Sequence, residues 1–139
     1  MNVLILMGSP RLHGNTAELC KYFIEELKEQ STEVKYIELE KNYKSLQGVL
    51  CLPERSRRVR LCAEGCLWEG KQVAIIATHG YDGEYATEPF EVGMKRLCIH
   101  SNLKYVGMYS VQDNDNLASF QTNEAIEGVK AFARKVISE

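Results

Sequence analysis

The residues best suited to binding chemistry lie near the start of the chain, where positions 8–16 read Gly-Ser-Pro-Arg-Leu-His-Gly-Asn-Thr. They follow a short apolar run and precede an amphipathic segment, which predicts a loop between a strand and a helix. A helix N-terminus offers free backbone N–H groups and a partial positive charge, so it favours an anion. Side-chain donors, a charged contact and a permissive glycine add to this. These residues are Ser9, Arg11, Gly14, Asn15 and Thr16.

The loop fits neither of two common nucleotide-binding patterns. It lacks the Gly-Lys-Ser/Thr ending of a Walker loop, and its glycines do not form the dinucleotide pattern G-x-G-x-x-G. The simpler alternative is a strand-to-helix turn in which Thr16 or Asn15 caps the helix. The density of small and polar residues directly after a buried strand favours a phosphate site over that alternative.

Hydrophobic periodicity predicts the elements that must position this loop. We expect strands at 2–7, 33–39, 72–78 and 105–111, and helices at 16–30, 88–101 and 122–137. The continuous apolar run at 2–7 predicts a strand buried on both faces. Alternating strands and helices predict an α/β fold with parallel strands joined by right-handed crossovers. The chain has 139 residues, which suits a single domain spanning 1–139.

Two helical faces are expected to pack into the core. In the helix at 88–101, the inward side chains are predicted to be Phe90, Met94, Leu97 and Cys98. In the first helix, Cys20 is expected to be a packing residue and not a reactive thiol.

A second polar loop follows the strand at 72–78, with the sequence Thr78-His79-Gly80-Tyr81-Asp82-Gly83. In a doubly wound sheet, ligands bind beyond the carboxyl ends of the strands, so this loop is expected to lie over the same edge as the first. The alternative is a solvated loop with a capped turn.

The Gly-Ser-Pro-Arg-x-x-Gly-Asn-Thr sequence after a first strand resembles the flavodoxin-like NAD(P)H-dependent FMN reductases, the branch that includes iron–sulfur flavoproteins. The resemblance covers Met1 to about Lys41 and resumes from about Gly70 to the end. It implies a flavodoxin-like three-layer α/β/α fold with a parallel sheet, altered here around the third strand. It also implies an FMN phosphate site at Ser9, Arg11, Gly14, Asn15 and Thr16. The flavin ring would lie at the second loop, formed by Thr78, His79, Gly80, Tyr81 and Asp82.

The resemblance further implies an oxidoreductase that transfers electrons from NAD(P)H to a small acceptor, such as a flavin, a quinone or another electron carrier. No catalytic residue is expected, because the hydride chemistry belongs to the flavin. A homo-oligomer, such as a dimer, is expected as in the family. The alternative is a non-catalytic remnant that binds flavin weakly or not at all, because the third strand and its loop are shortened or missing.

The segment at 42–69 breaks the pattern of alternating elements. About thirty residues separate Lys41 from Lys71, which is too few for a crossover helix and a normal third strand with its return helix. Reading a consistent back-translation of 44–68 one base later gives NPCRGCYACQSVPGEYGCAQKDVYG. That string contains Cys-x-x-Cys-x-x-Cys, which is similar to the cysteine segment of the family. We therefore hypothesise that 44–68 is a frame-shifted segment; the alternative is a solvated insertion.

Several functions are disfavoured by the same residues. Cys51 and Arg57 have the phosphatase Cys-x5-Arg spacing, but the Pro-Glu between them suits an anion loop poorly. Cys51, Cys62 and Cys66 lack the paired spacing of a zinc or iron–sulfur site, so no metal is expected. The four arginines of 55–60 stand without aromatic residues. We therefore expect no nucleic-acid partner.

Composition and charge point to the same class of protein. The net charge is −2 and the pI is about 6.0, which suits neither nucleic acid nor a membrane surface. Residues 1–7 lack the basic region of a signal peptide, and no apolar run is long enough to span a bilayer. Five cysteines are an odd number, so reduced thiols in the cytoplasm are expected.

Overall fold

The computed structural model describes residues 1–9, 11, 13–39, 70–114 and 117–139. Strands and helices alternate along the chain, as the sequence predicts. In order they are β1 (Asn2–Met7), α1 (Asn15–Glu29), β2 (Glu33–Glu38), β3 (Gln72–His79), α2 (Gly83–His100), β4 (Lys104–Gln112), a short 3₁₀ turn (Leu117–Phe120) and α3 (Asn123–Ser138). The predictions for 42–69, including the frame-shifted segment and its cysteines, lie outside the described residues.

The four described strands form two parallel pairs. In the first pair, β1 lies beside β2, with Asn2 opposite Glu33 and Met7 opposite Glu38. In the second pair, β3 lies beside β4 from Gln72 to His79, with a shift in register after Val73. The predicted α/β class and the parallel strand direction are therefore confirmed. Within the described ranges, no ladder joins β1 to β3, so the two pairs are separate sheets.

A shared core holds the two pairs together. α1 and α3 pack against each other through Phe23, Leu27 and Val129, and Phe23 lies 6.1 Å from the Phe132 ring. Partly buried side chains from both sheets pack on this cluster: Val3, Ile5, Val34, Ile76 and Tyr109. Fully burying a large apolar side chain is worth about 1.5–3 kcal/mol, and these partly buried side chains each contribute a share of that. The helices therefore fix the position of one strand pair relative to the other.

Cys20 is buried in this helix, as predicted. Only 6% of the residue is exposed, and burial raises the pKa of its thiol to about 11. A thiol in that environment is protonated at neutral pH and acts as a packing residue.

The prediction that β1 is buried on both faces is wrong. Leu4 and Leu6 are 54% and 56% exposed, whereas Val3 and Ile5 face the α1–α3 core. Successive side chains of a strand point to opposite faces, so one face of β1 is covered by helices. No described residue covers the other face sufficiently to bury these leucines.

The second helix begins earlier and is rotated relative to its prediction. It starts at Gly83 and not at Glu88, so Pro89 lies inside the helix. Cys98 is buried, but Phe90 and Leu97 are about half exposed, so their predicted inward orientation is wrong. The Tyr105 hydroxyl on β4 donates to the Glu91 carboxylate at 2.9 Å, so the side of the helix that carries Glu91 faces the strands. This bond lowers the pKa of the Glu91 carboxyl.

Two further properties concern the described ranges alone. None of their helices combines the length and apolar character needed to span a bilayer. They also contain no cluster of three or more histidine, cysteine or acidic side chains able to hold a metal ion.

Candidate functional site

The predicted phosphate loop connects the end of β1 to the start of α1. Met7 is buried, and the chain then leaves the core through Gly8 and Ser9. Two weak constraints shape the described part of the loop. The Arg11 N–H lies 3.4 Å from the Ser9 hydroxyl oxygen, and the Gly14 N–H donates to the Arg11 carbonyl at 3.1 Å. The loop thus folds back on itself immediately before the helix, and Arg11 is left exposed to solvent.

The N-terminus of α1 is not capped by a side chain from the described part of the protein. Gly14 is the N-cap residue, and its backbone is extended, with φ −89° and ψ −177°. Among the described residues, the start of α2 at Asp82 also lacks a side-chain cap, whereas α3 is capped by Thr122, whose hydroxyl oxygen accepts from the Ala125 N–H at 3.2 Å. The alternative in which Thr16 or Asn15 caps α1 is therefore wrong. Uncapped first-turn N–H groups are what an anion needs at a helix start.

Gly14 is also closely packed in the loop. A methyl group added at Gly14 would lie 3.0 Å from the Arg11 Cβ and 3.3 Å from the Arg11 carbonyl oxygen. Its φ is negative, so the need for glycine here is one of space and not of backbone angle. The tight turn brings the Arg11 side chain close to the start of the helix.

The second predicted loop is shorter than the sequence indicates. Thr78 and His79 are the last residues of β3, and Gly83 already begins α2. Only 80–82 remain between the two elements. The His79 Nδ1 donates to the Tyr81 carbonyl at 2.6 Å, which places the ring proton on Nδ1. Tyr81 itself is 79% exposed.

The two loops meet at a pair of threonines. The Oγ1 atoms of Thr16 and Thr78 are 2.8 Å apart, and either hydroxyl can be the donor. Each threonine hydroxyl has one proton, so one of the two protons is used in this bond and the other is left to donate elsewhere. The expectation that both loops share one edge of the strands is met at this contact.

Two residues that the sequence analysis missed complete this edge. They are Gln112 and Asp113, where β4 ends. The Gln112 amide donates to the Asp82 carboxylate at 3.3 Å, and the Asp113 carboxylate accepts from the Asn15 side-chain amide. The rule that sites form at the carboxyl ends of parallel strands applies to β4 as well as to β1 and β3. Applied to the end of β4, that rule is the signal that could have identified them.

The charges at this edge are mixed. Arg11 and the positive end of α1 favour an anion, whereas Asp82 and Asp113 contribute carboxylates. The Gln112 amide donates to Asp82, and the Asn15 amide donates to Asp113. Each of the two carboxylates therefore has a hydrogen-bond donor. The edge therefore combines an anion-binding helix start with acceptors suited to hydroxyl or amide groups.

Comparison with known proteins identifies a relationship in the same part of the chain. No curated protein matches the sequence. Residues 1–64, however, match the family model for NADPH-dependent FMN reductase. The match includes β1, the predicted phosphate loop, α1 and β2. The resemblance is therefore confirmed for its first part: over residues 1–64 this chain is similar to the NADPH-dependent FMN reductases, which are flavodoxin-like proteins. The part of the resemblance from about Gly70 to the end lies outside this match and stays a prediction.

Proposed function

We propose that the protein binds FMN at the edge formed by its two loops and transfers electrons from NAD(P)H to a small acceptor. The observation that carries the proposal is the uncapped start of α1, held against the end of β3 by the contact between Thr16 and Thr78. The family match over residues 1–64 supports FMN as the ligand.

The residues present fit a phosphate group at the first loop. Backbone N–H groups in the first turn of α1 and the free threonine proton are donors, and Arg11 supplies a positive charge. Ser9, Gly14 and Asn15 complete the loop. The task of this chain would be to anchor the phosphate through these groups and so to fix the position of the rest of the ligand.

The second loop would hold the flavin ring. The bond from His79 to the Tyr81 carbonyl orders the turn, and the exposed Tyr81 side chain is available to cover a ring. Backbone N–H groups of 80–82 would lie against the polar edge of the ring. A bound flavin supplies the chemistry itself, by accepting a hydride and passing its electrons on. A small electron acceptor, a homo-oligomeric state and a cytoplasmic location are part of the same proposal.

The test is an absorbance scan of the purified protein with and without added FMN, followed by NADPH in the absence of oxygen. The proposal predicts a bound-flavin band that bleaches on addition of NADPH. It also predicts that Arg11→Met weakens FMN binding by about threefold to tenfold, because one charge-assisted contact is lost from a solvent-exposed position. Riboflavin has no phosphate, so its affinity should change little in the same variant.

Arg96→Met is a matched control, because Arg96 is an exposed residue in the C-terminal half of α2, away from the two loops. Equal losses of FMN affinity in the two arginine variants would contradict a phosphate site at the first loop. No FMN binding by the unmodified protein would reject the proposed function as a whole.

A non-catalytic remnant is the second candidate, and a specific observation favours it. The described strands form two separate pairs, and Leu4 and Leu6 of β1 are exposed. An incomplete sheet would leave one wall of a ring site open. In that case FMN would bind weakly through its phosphate, riboflavin would not bind, and NADPH would cause no bleaching.

A further inference from the structure

We infer that Asp113 is a positioning residue that keeps the start of α1 open for the phosphate of FMN, an inference that rests on the proposed function. Asp113 directly follows β4 and contacts both predicted loops. Its backbone N–H donates to the His79 carbonyl at 2.6 Å, and its carboxylate accepts from the side-chain amide of Asn15. One residue therefore links the phosphate loop to the end of β3.

The hydrogen bond to Asn15 has a consequence for the helix start. Asparagine and threonine side chains near a helix N-terminus readily bond to the free backbone N–H groups there. Both candidates in the first turn of α1 are engaged elsewhere, Asn15 by Asp113 and Thr16 by Thr78. The first-turn N–H groups consequently have no side-chain cap from the described residues, which would leave them available to an external anion.

The negative charge of Asp113 opposes phosphate binding, whereas its oxygen acceptor holds Asn15. The effect of the charge and the effect of the acceptor can be separated by substitution. A carboxylate near a helix N-terminus is attracted to the helix dipole but repels a bound phosphate. Asparagine at position 113 would keep an oxygen acceptor for Asn15 and remove the negative charge. Alanine would remove both the acceptor and the charge. If the acceptor is what matters, the two substitutions have different effects on FMN binding.

The experiment measures the dissociation constants of FMN and riboflavin for the unmodified protein and for Asp113→Asn and Asp113→Ala. We expect Asp113→Ala to weaken FMN binding by about tenfold and riboflavin binding by less than threefold. The dissociation constant of FMN for Asp113→Asn should be no more than threefold higher than for the unmodified protein. A general loss of stability would weaken the binding of FMN and of riboflavin together. The ratio of the two dissociation constants therefore isolates the positioning effect.

Two further variants complete the design. Asn15→Ala should reproduce the loss caused by Asp113→Ala, and the double variant should lose little more, since both changes remove the same contact. Glu127→Ala removes one exposed carboxylate from α3 and controls for net charge.

The possible outcomes separate this inference from the proposed function. An unmodified protein that does not bind FMN rejects the proposed function, and the role of Asp113 falls with it. An unmodified protein that binds FMN, with Asp113→Ala binding equally or more tightly, overturns the role of Asp113 alone. Equal losses in Asp113→Asn and Asp113→Ala would also overturn it, because the retained acceptor would then have no effect.

Discussion

Gly128 in α3 is a position where alanine should destabilise the fold although it favours a helix. A methyl group added there would lie 2.8 Å from Cε2 and 2.9 Å from Cζ of Tyr109 on β4. The Tyr109 ring is not free to move away. Its hydroxyl donates to the Ala125 carbonyl at 3.0 Å, and its ring stacks on Phe132 with centroids 6.2 Å apart.

The net effect of Gly128→Ala can be worked from these contacts. Alanine gains about 1 kcal/mol over glycine in a helix interior. Overpacking costs about 1–3 kcal/mol, and loss of the Tyr109 hydrogen bond costs about 0.5–1.5 kcal/mol. The free energy of unfolding should therefore fall by about 0.5–3.5 kcal/mol. Urea denaturation followed by circular dichroism measures this change.

Gly93 in α2 provides the matched control, since it is also a glycine inside a helix. No described atom lies within 4 Å of a methyl group placed there. Gly93→Ala should therefore raise the free energy of unfolding by about 0.5–1 kcal/mol. If both variants were stabilised by a similar amount, Tyr109 would not press against Gly128, and the packing of α3 on β4 would be refuted.

Three further predictions concern an ion pair, a thiol and the coding sequence. Arg134→Met should lower the free energy of unfolding by about 1–2 kcal/mol, because Glu26 is only 4% exposed and pairs with Arg134 at 3.2 Å. Adding Glu26→Gln to this variant removes the unpaired charge and should recover part of the lost stability. Because burial raises the pKa of Cys20 to about 11, its thiolate fraction at pH 8 is only ~0.1%. Its alkylation by iodoacetamide, followed by mass spectrometry, should be at least about tenfold slower in the native protein than in urea, and equal rates would contradict the burial. Finally, the DNA encoding residues 44–68, read one base later, should encode Cys-x-x-Cys-x-x-Cys, and codons that cannot yield it would reject the frame-shift hypothesis.

Local patterns were sufficient to locate the elements around the candidate site. The apolar run at β1, the helical spacing of Leu19, Phe23 and Leu27, and the polar loop between them are all properties of neighbouring residues. They predicted the strand, the helix and the phosphate loop within one residue of the observed α1 boundary. The face of a helix was harder to predict. In α2, the side that carries Glu91 meets Tyr105 on β4, whereas Phe90 and Leu97 point outward.

The sequence by itself determined the α/β class, the parallel direction of the strands and the polar loops at their ends, because each depends on periodicity and short-range turn chemistry. Only the tertiary structure decided which side chains meet at those ends. Thr16 and Thr78 are 62 positions apart, and Asn15 and Asp113 are 98 positions apart. Such pairs form when helix packing places the end of one strand beside the start of another helix. No local pattern along the chain encodes a contact between residues so far apart in sequence.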